Sequence, residues 1–305
     1  MVKMVSIGIC AYNEAKHISA LLDSLERQTL PPDFALTEIL VVASGCTDGT
    51  DRIIEERRRV ESRLILIHQT ERHGKSSAIN EILGRYRGDI LVLVNADARL
   101  LPDSLFGLLE GFEGDDGVDL VCGVPSPAPS MSPLLDIVER GWWRIHNRTL
   151  QTLSGSVGGN HCCDELMAMK RGFAGSIPKA VVNDGSYFGV LGALRGTTVR
   201  FCPRAVVIVD PPSSLSGLLR QRRRIVTGHH QVRGLLGRSP YTLEGLALSQ
   251  PAVAAKIFLS ELVGRPLPTL AFLAISGPLE LISHVLSFVD RARYPGYQPI
   301  WRMVE

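Results

Sequence analysis

The chain has 305 residues, of which 45% are hydrophobic and 21% charged, and its net charge is +2 at neutral pH. This length allows one large or two modest domains with a well-buried core, and so small a net charge excludes a strong electrostatic attraction to nucleic acid. The six cysteines form no CxxC pair and no cysteine–histidine spacing suited to zinc. We therefore expect a reducing, cytoplasmic compartment. We expect no signal peptide, because the N-terminus runs straight into a predicted strand.

The first part of the chain alternates between short apolar runs and amphipathic segments. Ile18, Leu21, Leu22 and Leu25, for example, recur at the i, i+3, i+4, i+7 spacing of a helix face. Strands are predicted at residues 5–9, 39–42, 64–67 and 90–94. This alternation requires parallel pairing through right-handed crossovers. It predicts a nucleotide-binding half that ends near residue 120.

The fourth predicted strand ends in two short polar side chains. Residues 90–94 are all branched and apolar, which is typical of a strand buried on both faces, and the run stops at Asn95 and Asp97. These two residues are two positions apart and can point to the same place beyond the carboxyl end of the strand, where α/β sheets bind ligands. A divalent cation carrying a diphosphate suits that place. The alternative is a polar strand end that opens a helix, with Asp103 or Ser104 as its cap.

Beyond residue 118 the predicted elements are less regular. A proline-rich loop is predicted at residues 125–130, and helices at residues 134–150 and 214–236. Further strands are predicted at residues 118–121, 166–169, 181–182, 199–201 and 206–209. Asp184 follows one of these runs and is therefore a second acid predicted at a strand end.

The C-terminal part, residues 251–289, is strongly apolar and has no charge between Arg265 and Glu280. We expect this uncharged stretch to be too short to cross a bilayer, and prolines interrupt it. It is interpreted as a pair of helices in a membrane interface or as a re-entrant hairpin. The alternative is a soluble helical appendage packed on the rest of the chain.

Four segments together resemble an inverting family 2 glycosyltransferase with the GT-A fold. They are the Ala11-Tyr12-Asn13-Glu14 turn, the Ser-Gly-Cys-Thr-Asp-Gly-Thr loop at residues 44–50, the Gly74-Lys75 helix start and Asn95-Ala96-Asp97. In addition, Asn183-Asp184 occupies the place of the family's Glu-Asp pair, and residues 221–225 resemble the Gln-x-x-Arg-Trp signature of membrane-associated members.

The resemblance reaches about residue 235 and implies a fold and a domain organisation. The implied fold is α/β, with a Rossmann-like, mostly parallel sheet flanked by helices. The catalytic domain would span residues 1–235, with a nucleotide-binding half at 1–120 and an acceptor half at 121–235. Residues 236–305 would be a C-terminal apolar helical segment at a membrane interface.

The resemblance also implies a donor site for a nucleotide-diphosphate sugar with Mg²⁺ or Mn²⁺. Asp97 would bind the metal, with Asn95 as a neutral helper. Lys75 would meet phosphate at a helix N-terminus, beside backbone N–H groups. Tyr12 would stack on the base, and Glu14 would hold a base or ribose hydroxyl. The remaining implied donor-site positions are Ala11, Ser44 and Ala96.

For the second half, the resemblance implies a base and a basic turn. Asp184 would take the proton of the acceptor hydroxyl, and inversion requires no protein nucleophile. Gln221 and Arg224 would meet the diphosphate or the acceptor, because arginine forks suit both groups. A solvated basic face, or one on anionic lipid, is the alternative. The acceptor would be lipid-linked or a glycan, at the inner face of the cell membrane.

Several aromatic side chains allow two interpretations each. Trp142 and Trp143 could line an acceptor groove for sugar or lipid, pack in the core or anchor the chain at a membrane interface. His161, His229 and His230 are more often packed or solvated than metal ligands.

Two other functions are compatible with parts of this pattern. A sugar-phosphate nucleotidyltransferase has a similar nucleotide half, but it needs a glycine-rich loop after the first strand, and residues 10–14 contain no glycine. A non-catalytic sugar-nucleotide-binding protein is the other alternative, because Asn95 and Asn183 each stand where the family often has a carboxylate. The sequence therefore favours an inverting glycosyltransferase.

Overall fold

The protein is described from a computed structural model, which covers residues 1–114, 117–155, 159 and 161–293, without the side chains of residues 244 and 293. The strands are β1 (Lys3–Ala11), β2 (Phe34–Ser44), β3 (Leu64–Gln69), β4 (Ile90–Asn95), β5 (Arg99–Leu100), β6 (Val118–Pro127), β7 (Leu166–Lys170) and β8 (Thr198–Val209). The α-helices are α1 (Ile18–Glu26), α2 (Thr50–Arg58), α3 (Lys75–Leu83), α4 (Ser104–Leu109), α5 (Pro133–Leu153), α6 (Asp184–Leu194), α7 (Leu215–Leu236), α8 (Leu243–Ser249), α9 (Pro251–Gly264) and α10 (Pro266–Arg293).

The strands form one mixed sheet in the order β3-β2-β1-β4-β7-β6-β8-β5. The first four strands in this order are parallel, as predicted from the alternation of strands and helices. β7 is antiparallel to both β4 and β6, while β6 and β8 are parallel. The predicted α/β class with a mostly parallel sheet is confirmed. The antiparallel β7 also brings its own first residues to the carboxyl end of β4.

Helices cover both faces of the sheet. Ile90, Val92 and Val94 of β4 pack on the side of α1, α2 and α4, while Leu91 and Leu93 pack on the side of α3 and α6. All five side chains are almost fully buried, so the prediction of a strand buried on both faces is confirmed. Each such side chain contributes about 1.5–3 kcal/mol by its removal from water.

Three predictions for the second half are wrong. The predicted loop at 125–130 is partly strand, because β6 continues through Pro127 and pairs with β8. Prolines are tolerated there because β7 pairs with β6 only as far as Cys122, so no N–H group is needed on that side. The two strands predicted at 199–201 and 206–209 are one strand, β8. Residues 181–182 are not a strand, and Asp184 begins helix α6.

The C-terminal apolar segment forms longer helices than predicted. Pro278 lies inside α10 without ending it, and residues 266–292 form a helix long and apolar enough, by length and composition, to cross a membrane. The uncharged stretch between Arg265 and Glu280, which was expected to be too short, is thus only the first half of a longer helix. The predicted segment 236–305 runs beyond residue 293, outside the described residues. Its division from the catalytic domain stays a prediction.

Candidate active site

The loops after β1 and β2 are fastened to each other at the carboxyl edge of the sheet. Asn13 Oδ1 accepts a hydrogen bond from Thr47 N at 2.8 Å, and Asp48 Oδ2 accepts one from Ala15 N at 2.9 Å. Gly45 has a positive φ of 65°, and a Cβ at that position would come within 2.7 Å of Arg72 N. The glycine therefore allows the loops after β2 and β3 to approach closely. These contacts form a preorganised rim for a ligand.

Residues predicted for the base and ribose lie along this rim. The guanidinium carbon of Arg72 lies 3.8 Å from the ring centroid of Tyr12, so the ring is stacked on a cation. Ser44 is buried and donates a hydrogen bond to Gln69 Oε1 at 2.7 Å, and Ala11 is buried beside it on β1. Ser44 therefore forms part of the floor of the site that these loops surround. Arg72 had no signal in the sequence analysis, because only the folded loop places it over Tyr12.

Glu14 and Asp97 are electrostatically linked. Burial raises the pKa of Glu14 to about 7, with the hydrogen bond from His17 opposing this shift and the charge of Asp97 adding to it. Asp97 lies in the turn after β4, next to Asn95 and the buried Ala96. The structure therefore places the acids that follow β1 and β4 close together, as expected from the predicted parallel pairing.

Lys75 forms an ion pair with Asp184. Lys75 begins helix α3, Asp184 begins helix α6, and Lys75 Nζ lies 2.8 Å from Asp184 Oδ1. Asp184 is only 2% exposed. Burial lowers the pKa of Lys75, but the charges of Asp184 and Asp164 outweigh that effect and raise it above its usual value. Lys75 therefore stays protonated beside the buried carboxyl group of Asp184.

Two further acids, Asp164 and Glu165, lie at the same place and were missed from the sequence. Asp164 Oδ1 accepts a hydrogen bond from Gly185 N at 2.8 Å, and burial together with the charge of Asp184 raises the pKa of Asp164 well above its usual value. Burial raises the pKa of Glu165 to about 7 against the opposing charge of Lys75. The carbonyl oxygen of Glu165 accepts a hydrogen bond from Asn95 N at 3.2 Å. The available signal was an acidic pair just before the apolar run at 166–169.

The arginine side chains at residues 222–224 of α7 point in two directions. Arg224 is half-buried near four carboxyl groups, those of Asp164, Asp97, Asp184 and Glu165. Burial lowers its pKa to about 10 although all four charges oppose this shift. Arg222 and Arg223 instead form two-point ion pairs with Glu280 and Asp290 of α10. Within the predicted basic turn, Arg224 is thus the arginine that faces the acidic site.

Asn183 has a structural contact that explains its departure from the family pattern. Its side-chain amide donates to the Ile225 carbonyl oxygen at 2.9 Å. A Cβ on Gly228 would lie 2.6 Å from the Asn183 side chain. Asn183 therefore packs α6 tightly against α7, where a longer acid would not fit without movement.

A cavity of about 320 Å³ opens next to the acids. It is lined by residues 161–165, by α5, α7 and α10, and by the segment 239–248, which includes most of α8. The predicted residues that line it are Trp142, Trp143, His161, Gln221, His229 and His230. Glu139, which the sequence analysis did not identify, also lines it, and burial raises the pKa of Glu139 to about 7 against the charge of Arg222.

The residues that could hold a metal are few. Within the part of the chain that the structure describes, no group of three or more His, Cys, Asp or Glu side chains is arranged to hold a metal ion. Burial is the main cause of the raised pKa values of Glu14 and Glu165, and the charge of Asp97 adds to both, so several acids lie near Asp97. Mg²⁺ is typically held by one or two carboxylates together with substrate phosphates. The residues present fit that kind of site.

Comparison with known proteins identifies related sequences. The model of the family described as "Glycosyl transferase family 2" matches residues 6–177, more than half of the 305 residues. The poly-beta-1,6-N-acetyl-D-glucosamine synthase of Staphylococcus aureus (strain COL) is 24% identical over 233 residues, which are 75% of this chain and 55% of that protein. The undecaprenyl-phosphate 4-deoxy-4-formamido-L-arabinose transferase of Klebsiella pneumoniae (strain 342) is 27% identical over 210 residues, 68% of this chain and 59% of that protein. The chain thus spans little more than half the length of these curated relatives.

Among solved structures, a mannosyltransferase from Pyrobaculum calidifontis in complex with GDP-Man and Mn²⁺ is similar, with a TM-score of 0.65 and 22% sequence identity. The match covers 96% of this chain and 88% of the mannosyltransferase chain. This likeness supports the GT-A fold.

Proposed function

Because the chain belongs to glycosyl transferase family 2, we propose that it is an inverting glycosyltransferase that uses a nucleotide-diphosphate sugar. The observation that carries the proposal is the buried ion pair between Lys75 and Asp184, which lies next to the acidic strand end at Asp97. Family membership also disfavours the nucleotidyltransferase alternative.

In the proposed reaction, Asp184 accepts the proton of the acceptor hydroxyl. The acceptor oxygen forms a bond to the anomeric carbon, and the bond from that carbon to the diphosphate oxygen breaks, with its electron pair going to the diphosphate. A single displacement of this kind inverts the anomeric centre. Lys75 and Arg224 supply positive charge near the place where negative charge develops on the leaving group.

The donor would lie along the rim of loops after β1, β2 and β4. Asp97 would hold Mg²⁺ or Mn²⁺ with Asn95 beside it, and such a metal supplies Lewis-acid stabilisation of the diphosphate. Tyr12 and Glu14 would contact the base and ribose. Ala11, Ser44 and Ala96 would shape the floor. The Mn²⁺ in the related mannosyltransferase structure supports a divalent metal here.

A donor panel tests this proposal. We expect a UDP-, GDP- or dTDP-sugar to be turned over in the presence of Mn²⁺ or Mg²⁺, with turnover lost on adding EDTA. The matching nucleotide diphosphate with metal is expected to raise the melting temperature, because a ligand that binds only the folded state stabilises it. The proposal is contradicted if none of these nucleotides gives turnover or a shift of the melting temperature. A shift without turnover would favour the non-catalytic alternative.

We also propose that α10 lies in a membrane interface on the cytoplasmic side. On this helix Leu281, Val285 and Phe288 are exposed at i, i+4, i+7 spacing, whereas Ser283 and Ser287 are fully buried. This arrangement is the reverse of that expected of a helix on a soluble protein. The cysteines are all free, which supports a reducing compartment. The lipid-linked substrate in the Klebsiella relative's name also supports a membrane location.

The polar side of α10 is fastened to α7 at separate points. Arg222 and Arg223 pair with Glu280 and Asp290, and Thr227 Oγ1 lies 2.9 Å from Ser287 Oγ. A helix held along its side in this way suits an orientation in the plane of the interface rather than across the bilayer.

Vesicle binding tests this placement. Replacing Leu281, Val285 and Phe288 together by Ser is expected to weaken binding to vesicles containing anionic lipid at least about 100-fold, because each apolar side chain contributes about 1.5–3 kcal/mol. The matched control is Val60→Ser, at an apolar residue that is 81% exposed just after α2. Unchanged binding of the triple variant in co-sedimentation would contradict the placement.

A further inference from the structure

The cavity between α5, α7 and α10 contains an unusual row of aromatic and imidazole rings. Trp143, His146, His161 and His229 follow one another edge to face, with ring centroids 5.3, 5.1 and 6.2 Å apart. Burial lowers the pKa of His146 to about 4 and that of His229 to about 3, and it lowers the pKa of His161 well below its usual value. All three imidazoles are therefore neutral at physiological pH.

The hydrogen bonds of this row fix which ring nitrogens carry protons. Asn147 Nδ2 donates to the Pro125 carbonyl oxygen at 2.8 Å, so its Oδ1 is the atom that faces His146 Nδ1, at 3.3 Å. Since that oxygen can only accept, His146 carries its proton on Nδ1 and its Nε2 is an acceptor. His146 Nε2 lies 3.1 Å from His161 Nε2, so His161 must donate from Nε2.

This assignment leaves His161 Nδ1 as a bare acceptor. A neutral imidazole has one proton, and His161 uses it on Nε2. His161 Nδ1 is buried and has no hydrogen-bond partner among the residues that the structure describes. A buried acceptor without a donor destabilises the folded protein. His161 lines the cavity, so a ligand carrying an O–H or N–H group there would supply the missing bond.

Few of the groups that line the cavity are free to bind an anion. The carboxyl groups that line it are those of Glu139, Asp164, Glu165 and Glu280, whereas the guanidinium groups are those of Arg222 and Arg233. Arg222 is already held by Glu280 through two hydrogen bonds of 2.8 and 2.9 Å, and its guanidinium lies over the Trp142 ring. A phosphate dianion presents acceptor oxygens only, so it has no hydrogen to donate to the bare imidazole nitrogen.

We propose that this cavity binds the acceptor as an uncharged sugar unit, with a sugar hydroxyl donating to His161 Nδ1 and Trp143 contacting the ring. The reacting nucleophile is then a hydroxyl of a glycan or glycolipid rather than a phosphate oxygen. This inference rests on the proposed glycosyl transfer, since Asp164 and Glu165, which line the cavity, interact electrostatically with Asp184 and Lys75. A hydroxyl nucleophile also explains why the base Asp184 is needed. A hydroxyl must lose its proton, whereas a phosphate dianion has no proton to lose.

Binding can be measured without any donor, through tryptophan fluorescence. Trp142 and Trp143 line the cavity, and the third tryptophan of the chain, Trp301, lies outside the described residues. We expect short oligosaccharides and alkyl glycosides to change the emission saturably and a short-chain prenyl monophosphate to leave it unchanged. Trp143→Phe should remove most of the change. A saturable response to the prenyl phosphate and none to any sugar would overturn the inference, as would no response to either probe.

Two substitutions of His161 separate its two nitrogens. Asn keeps an acceptor near the Nδ1 position, whereas Gln keeps a donor near the Nε2 position. We therefore expect His161→Gln to weaken acceptor binding, and to raise the acceptor KM, about tenfold, the usual effect of losing one neutral hydrogen bond. His161→Asn should bind the acceptor within a few-fold of the unaltered protein.

The controls keep this result distinct from that of the donor panel. His68→Gln, at an exposed histidine on β3 that does not line the cavity, should change nothing. Donor turnover in water without acceptor should be the same in all three variants, because His161 does not contact the donor rim. Equal KM values for His161→Gln and His161→Asn would overturn the role of Nδ1. If the unaltered protein turns over no donor at all, the proposed function itself is contradicted.

Discussion

Replacing Asp184 by Asn is expected to lower the rate of sugar transfer by about 10²–10⁴-fold, the usual contribution of a positioned base. The amide keeps the size of the carboxyl group but cannot accept the proton of the acceptor hydroxyl. Donor binding should persist, because the donor rim is formed by the loops after β1, β2 and β4. The measurement is the transfer rate with saturating donor and acceptor, together with the melting-temperature shift produced by nucleotide diphosphate and metal.

The same substitution also affects stability, and a second variant separates the two effects. Asp184→Asn leaves Lys75 without the carboxylate that lies 2.8 Å away. Breaking a buried pair costs about 3–5 kcal/mol, and we expect the lower end because Lys75 is 25% exposed. Adding Lys75→Met should recover most of the lost stability without restoring transfer. If Asp184→Asn transfers sugar at a normal rate, the base is elsewhere, and Asp164→Asn becomes the decisive variant.

The parallel part of the fold could be predicted from the sequence because it obeys local rules. The runs at 5–9, 39–42, 64–67 and 90–94 are each apolar and are each followed by a helical period, so their pairing direction follows from the connections. β7 follows no such rule. Its apolar run was recognised, but its direction depends on where a long excursion through α5 returns to the sheet.

The same difference decides which site residues could be found. Asp97 and Lys75 follow strands whose direction was predictable, and their neighbourhood could be inferred. Asp164 and Glu165 precede a strand, and an acid before a strand reaches the carboxyl edge only when that strand is antiparallel. Arg72 and Glu139 acquire their positions from loop and helix packing alone. No local pattern in the sequence signals such contacts.

The C-terminal helices show how composition can mislead about length. Pro278 suggested a break, yet α10 continues past it. The charged residues Glu280 and Asp290 of α10 both pair with arginines of α7. In the second half of α10, Ser287 and Asp290 face the protein, where α7 supplies partners for them. Leu281, Val285 and Phe288 are left on the outside.

Replacing Asp97 by Asn is expected to lower metal-dependent donor turnover at least about 10³-fold, because metal stabilisation of the leaving diphosphate amounts to several kcal/mol. Asn95→Asp is the matched control: it adds a carboxylate two positions away and should keep turnover and tighten metal binding, read from the metal concentration at half-maximal rate. A separate readout needs no metal. Since the charge of Asp97 helps to raise the pKa values of Glu14 and Glu165 to about 7, Asp97→Asn should lower both values, measured by NMR titration of the apoprotein. Turnover within tenfold of normal, with both pKa values unchanged, would mean that Asp97 does not face the cleft, and the metal would then have to be held by other residues.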